Sequence, residues 1–210
     1  EQHRFGVNQR NNLQNKGLKP DVIYLSATPI PRTYALTLYG DMDISLIKEK
    51  PQGRKDILTL LKKETDIKDV LSLMLEEIKQ NHQIYVVAPL IEETEELNLN
   101  DILKLKEKFN LAFNNKVPIA ILHGKIKPKE KEQIMKDFKQ NKIKVLISTT
   151  VIEVGIDVSN ATMMVIFNAE RFGLATLHQL RGRIGRSELE SKCILISNYD
   201  NQRLNTLVES

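Results

Sequence analysis

The sequence predicts an α/β fold built on an open, mostly parallel sheet with helices on both faces. Two patterns carry that expectation. Short apolar runs rich in β-branched residues recur at Val22–Leu25, Ile84–Ala88, Ile119–Leu122, Val145–Ile147, Met163–Phe167 and Cys193–Ile196. Runs this short and this continuously apolar fit strands buried on both faces. Amphipathic helical stripes separate most of them, and strands alternating with helices make βαβ units joined by right-handed crossovers.

In chain order, residues 1–47 contain one strand-like run and two helical stretches, too little for a domain, and read as the tail of a preceding lobe. Residues 48–55 read as a linker, because Pro51 and Gly53 interrupt a polar stretch between two patterned regions. Residues 56–198 sustain the alternation long enough for one complete domain, and residues 199–210 read as the start of a helical extension. Within the domain, Asp66–Gln80 gathers Ile67, Val70, Leu71, Met74, Leu75 and Ile78 on one stripe. Lys127–Gln140 does the same with Ile134, Met135 and Phe138, and opens with Pro128 in the first turn, where its missing N–H leaves no bond unmade. The acidic cluster Glu92, Glu93, Glu95 and Glu96 reads as a solvated loop or helix start, since no histidine is patterned with it to suggest a metal site.

Composition narrows the function classes. The chain has 210 residues and a net charge of +4, which favours an anionic partner such as nucleic acid, but only weakly. No apolar stretch approaches the ~20 residues of a membrane helix, and no charged-then-apolar signal segment opens the chain. Cys193 is the one cysteine, set in an apolar run. An internal disulfide is thereby excluded, and a buried structural thiol in a reducing cytoplasm is the expectation.

Four segments carry candidate chemistry. The run Gln179-Leu180-Arg181-Gly182-Arg183-Ile184-Gly185-Arg186 puts guanidinium groups, planar forks suited to phosphate, beside two glycines. If the run is helical, Arg183 and Arg186 share a face and Gly182 and Gly185 form a second row. Each glycine costs about 1 kcal/mol in a helix interior, which suggests close approach by a backbone or a ligand. In Thr149–Asp157 a strand leads into hydroxyl residues, a glycine and an acid: Thr149 and Thr150 are placed to meet a phosphate backbone and Asp157 a sugar hydroxyl. Helix capping and an ordinary turn explain that segment equally well. Ser26-Ala27-Thr28 precedes a rigid turn fixed by Pro29 and Pro31, and its hydroxyls could link one site to another. His123-Gly124-Lys125 ends a further strand and reads either as a phosphate donor or as a surface turn.

Taken together and in this order, the segments resemble superfamily 2 helicases. Glu1-Gln2-His3 resembles the end of a DEQH box, Ser26-Ala27-Thr28 motif III, Thr149–Asp157 motif V and Gln179–Arg186 motif VI. The longer strings EQHRFGVNQR, SATPIPRTYALTLYGDMDIS and FNAERFGLATLHQLRGRIGR resemble the bacterial RecG family of branch-migrating DNA helicases. The transcription-repair coupling translocases share the ATPIPRT and QLRGRIGR regions and form the nearest alternative. Gly40–Ser45 and His178 fit the branch-migrating family better. A non-catalytic RecA-like module that binds nucleic acid or protein is the alternative of a different class.

The resemblance implies two RecA-like lobes with ATP between them, this chain supplying a strip of the first and most of the second. Glu1 would polarise the attacking water, the magnesium-binding aspartate would precede it, and no metal ligand is assigned within the chain. Arg183 and Arg186 would reach the γ-phosphate as arginine fingers, Gln179 would sense the nucleotide, and Gly155 and Asp157 would lie near the ribose. His3 with Ser26, Ala27 and Thr28 would couple hydrolysis to movement, while His123, Gly124, Thr149 and Thr150 would hold DNA by its phosphates. ATP and Mg2+ are the implied cofactors of the parent, expected to be a cytoplasmic monomer acting on forks and four-way junctions with no membrane partner. No Gly-x-x-x-x-Gly-Lys-Ser/Thr loop occurs, so the chain is expected to be a motor fragment that neither hydrolyses ATP alone nor holds a cofactor tightly.

Overall fold

The computed structural model describes residues 53–89, 95–149, 158–199 and 202–208, with Asn12, Ile23, Ser45 and Ile47 as isolated positions. The chain divides into two compact units, Glu1–Glu49 and Lys50–Ser210. The expected strand Val22–Leu25 lies, apart from the isolated Ile23, outside the described residues; the account below concerns the second unit.

Six strands form one sheet: β1 (Ile57–Lys62), β2 (Gln83–Val87), β3 (Ile119–Leu122), β4 (Val145–Ser148), β5 (Ala161–Ile166) and β6 (Ser191–Ile196). Their order across the sheet is β1-β6-β5-β2-β4-β3, and every pairing is parallel. The helices are α1 (Ile67–Lys79), α2 (Glu95–Ala112), α3 (Pro128–Lys139), α4 (Leu174–Arg181) and α5 (Gln202–Val208). Residues of β2, β4 and β5 are buried throughout, as their continuous apolar runs predict.

Alternation along the strands divides the core into two layers. Ile84, Val86, Ile147, Met163, Val165 and Ile194 meet Val70 and Met74 of α1 and Ile102 and Phe109 of α2. Tyr85, Val87, Leu146, Met164, Ile166 and Leu195 meet Met135 and Phe138 of α3, Leu177 and Leu180 of α4, and Leu204 and Leu207 of α5. The chain thus crosses the sheet in one direction over the first layer, from β1 to β3, and returns over the second, from β3 to β6. The helix after β2 leaves to the opposite face from those associated with its neighbours, so the carboxyl end of β2 sits at a reversal of winding, the place where open α/β sheets form a crevice.

Two elements differ from the sequence reading. β1 has no counterpart among the expected strands: it is one edge of the sheet, paired with β6 alone among the described residues, and its alternation of exposed Leu58 with buried Thr59 conceals it in a search for continuous apolar runs. α2 is a helix of 18 residues where a solvated loop or a helix start was expected.

A polar network closes the amino-terminal end of the sheet. Glu77 of α1 is buried, and its carboxylate accepts from Thr162 Oγ1 at 2.6 Å and Lys192 Nζ at 3.0 Å and bonds His82 Nδ1 at 2.9 Å. Burial alone would raise this carboxyl, but the hydrogen bonds from Thr162, His82 and Lys192, with the Lys192 charge, outweigh it and hold it below the ordinary glutamate value. Beside it, Gln83 donates to the Phe138 and Ile143 carbonyls, and Lys144 Nζ binds the side chains of Asn81 and Asn141. Asn81 and Asn141 both take positive φ, 66° and 60°, just past the ends of α1 and α3, where a left-handed residue stops each helix.

Because the folded Glu77 value is depressed, its stabilisation is present above the unfolded value and is lost as pH falls through the folded one. Glu77→Leu is expected to cost on the order of 2–3 kcal/mol in chemical denaturation, less than a fully enclosed pair because Lys192 stays partly solvated. It should also flatten the acid limb of the stability-pH curve, and an unchanged acid limb would contradict the network's role.

Candidate functional site: two ends of one sheet

The arginine run starts on α4, which enters from Gly173 and ends at Arg181. The run is therefore not one helix. Gly182 caps α4, its N–H bonding the His178 carbonyl at 3.0 Å, and residues 183–186 follow as a turn. Gly185 explains why: its φ is +66°, outside the helical region, and a Cβ there would lie 2.8 Å from Ile57 Cγ1. The two glycines consequently have different reasons. Gly185 lets the segment seat on the first residue of β1, whereas a Cβ on Gly182 would meet only ordinary contacts at 3.4 Å and beyond.

Arg183 and Arg186, expected to share a helical face, are instead held by the turn. Arg186 Nε donates back to the Gly182 carbonyl at 3.2 Å, and both arginines are partly buried. Arg181, between Gln179 and Arg183, is used by the fold itself. Its guanidinium donates to the Leu207 carbonyl at the end of α5 at 3.0 Å and to Thr59 Oγ1 of β1 at 3.4 Å. That role was not visible in the sequence, where the arginines look alike. Beneath it on β6, Cys193 is buried; desolvation pushes its thiol up to about 12 despite the opposing pull of the Arg181 charge, so it is a packing residue.

Position in the fold separates the candidate residues into two groups. The arginine segment lies where strands begin: Gly185 packs on Ile57 and near Ser191, the first residues of β1 and β6. Ser187 Oγ donates to the Ser159 carbonyl at 2.9 Å, which binds the segment to the residues just after Asp157. His123, Gly124 and Thr149 lie at the other end, where strands finish. Thr149 N–H donates to the Leu122 carbonyl at 3.3 Å, setting Thr149 beside His123. Strands of four to six residues put roughly 13–20 Å between these ends. The chain between Thr149 and Val158 joins them.

At the strand-finishing end Thr149 is buried, His123 half-buried and Gly124 exposed. Gly124 has no positive φ and, among the described residues, no neighbour within 4 Å of a would-be Cβ, so no described contact demands glycine there. Glu1, His3, Ser26, Ala27, Thr28, Thr150, Gly155 and Asp157 lie outside the described residues.

The fold is that of a RecA-like helicase C-terminal lobe. The family model for the helicase conserved C-terminal domain matches residues 62–188, and the chain belongs to that family. It is 52% identical over 198 residues to the ATP-dependent DNA helicase RecG of Streptococcus pneumoniae serotype 4, covering 94% of this chain and 30% of that protein. Identity to RecG of Bacillus subtilis is 48%, over 94% of this chain and 29% of that protein. The chain thus spans about three tenths of the length of these curated relatives. Among solved structures, RecG bound to a three-way DNA junction superposes with a TM-score of 0.78 at 38% identity, over 100% of this chain and 26% of that one. Yeast Dbp5 bound to RNA and ADP BeF3 shares the fold at a TM-score of 0.55 and 22% identity, over 85% of this chain and 44% of that one. No helix among the described residues is long and apolar enough to cross a membrane.

The seating of the arginine segment gives a direct test. Gly185→Ala is expected to cost about 1–3 kcal/mol through positive-φ strain and overpacking against Ile57. Gly182→Ala should be close to neutral, and Ile57→Ala should soften the Gly185→Ala penalty in a double-mutant cycle followed by thermal unfolding. Equal penalties at the two glycines would refute the packing account.

Proposed function

We propose that the chain is the greater part of the second motor lobe of an ATP-dependent DNA helicase that remodels stalled forks and branched junctions in recombination and repair. The observation that carries this reading is identity of 48–52% sustained over 94% of the chain to proteins named ATP-dependent DNA helicase RecG. On this reading residues 1–47 end the first RecA-like lobe, 48–55 link, 56–198 form the second lobe and 199–210 begin a helical extension. The whole motor is a cytoplasmic monomer that binds ATP with Mg2+ and branched DNA.

The two ends of the sheet divide the work. Arg183 and Arg186, at the strand-beginning end, stabilise charge developing on the γ-phosphate, and Gln179 senses the nucleotide; Gly155 and Asp157 contact the ribose. Glu1 activates water, and His3 with Ser26, Ala27 and Thr28 relays the nucleotide state. At the strand-finishing end, His123, Gly124, Thr149 and Thr150 hold one DNA strand by its phosphates, which grips without reading sequence. The Ser187–Ser159 bond supports a common station for the arginines and the end of the 149–158 connection. On this reading nucleotide chemistry at one end alters the DNA grip at the other.

In the full-length protein, Arg186→Ala is expected to leave ATP affinity nearly intact and to lower DNA-stimulated ATP turnover by about a thousandfold or more. Nucleotide binding by fluorescence and steady-state hydrolysis with branched DNA measure the two separately. Normal turnover in the variant would remove the arginine-finger assignment.

A further inference from the structure

We infer that Asn160 and Ser187 are positioning residues for the arginine segment, acting through the turn that leads into β5. The inference rests on the arginine-finger reading of Arg186 and names what holds that residue's backbone in place. Gly185 seats one side of the arginine turn on Ile57. Ser187, directly after Arg186, hangs the other side on the Ser159 carbonyl: its hydroxyl donates there at 2.9 Å and accepts from the Leu189 N–H at 3.4 Å. The position of the turn therefore depends on how firmly Ser159 is held.

Ser159 is fixed through its neighbours. Val158 is buried in the layer of α3 and α4, and the Ala161 N–H closes the turn on the Val158 carbonyl at 3.1 Å. Thr162 is the extra residue of a bulge, since Gln83 stands opposite Ala161 and Ile84 opposite Met163, and its hydroxyl donates to Glu77 Oε2 at 2.6 Å. Between them, the Asn160 carbonyl accepts from the Gln83 N–H at 3.0 Å. The Asn160 side-chain Nδ2 donates to the Asn81 carbonyl at 3.0 Å and to Gln83 Oε1 at 3.4 Å.

The Asn81 carbonyl is a shared acceptor, because Lys144 Nζ at 3.2 Å and Asn141 Nδ2 at 3.3 Å also donate to it. Asn81 follows α1 on one face of the sheet, Asn141 follows α3 on the other, and Lys144 leads into β4. An ammonium beside two helix carboxyl ends is electrostatically favoured. Asn160 thus ties the Ser159 carbonyl, and with it the arginine turn, to helices on both faces at once. Water competes for the partners of such bonds, so they add little to stability. Their effect lies in placing a charge, where an error of about 1 Å can cost on the order of a hundredfold in rate.

The test uses the full-length protein with saturating branched DNA. Asn160→Ala and Ser187→Ala are each expected to lower kcat for ATP hydrolysis roughly fivefold to fiftyfold. The Kd of a fluorescent ATP analogue should stay within about twofold of native, and Ser187→Thr, which keeps the hydroxyl, should hold kcat near the native value. Because both residues act along one chain of contacts, the double variant should be no slower than the worse single variant. In an Arg186→Ala background neither substitution should slow the residual turnover further. Losses that multiply in either combination would mean separate structural effects and would overturn the inference. Ser187→Ala should shift thermal unfolding by less than about 3 °C, and it carries the test should Asn160→Ala not fold. If Arg186→Ala collapses turnover while Asn160→Ala and Ser187→Ala leave it unchanged, the arginine fingers stand and the positioning role fails. If Arg186→Ala itself turns over normally, both fail.

Discussion

Parallel pairing is the constraint on which everything else in this unit depends. Parallel neighbours cannot be joined by a tight turn, so each strand must be followed by a crossover that covers one face of the sheet. With six strands and a reversal of direction after β3, both faces are covered, and the central strands lose all contact with solvent. All strand ends then point the same way. That alone creates two chemically distinct rims, one made of the loops after strands and one made of the loops before them.

Each rim is finished differently. The starting rim is tied down by buried polar groups, Glu77 with Thr162 and Lys192, and Gln83 with the Phe138 and Ile143 carbonyls. It also carries the arginine turn, pressed onto β1 through Gly185 and anchored through Arg181 to α5. Such a rim is held by side-chain bonds from several elements at once. The finishing rim exposes short turns such as His123–Ile126, held by a few backbone bonds.

The central sheet was legible in the sequence because burial on both faces leaves uninterrupted apolar runs at Ile84–Ala88, Val145–Ile147 and Met163–Phe167. β1 was not, since an edge strand with one half-wet face alternates Leu58 with Thr59 and resembles a loop. α2 distributes its leucines around much of its circumference, so no single stripe announces a helix. The motif strings pointed to the family by resemblance, yet three similar arginines gave no sign that Arg181 serves the fold while Arg183 and Arg186 follow the helix end. The seat of Gly185 on Ile57 spans more than 120 residues, and local pattern does not encode it. Gly182, which any reading by spacing treats as its twin, has no such partner.

The buried thiol of Cys193 has a use unrelated to nucleotide or DNA. It lies in β6 between β1 and β5, and desolvation keeps it from forming the thiolate that alkylating reagents attack. With no other cysteine in the chain, its rate of labelling becomes a clock for how often β6 separates from its neighbours. Ligands that tighten the lobe would slow that clock. A fluorophore attached through a newly introduced surface cysteine would report position alone, because the native thiol stays silent while the sheet is closed.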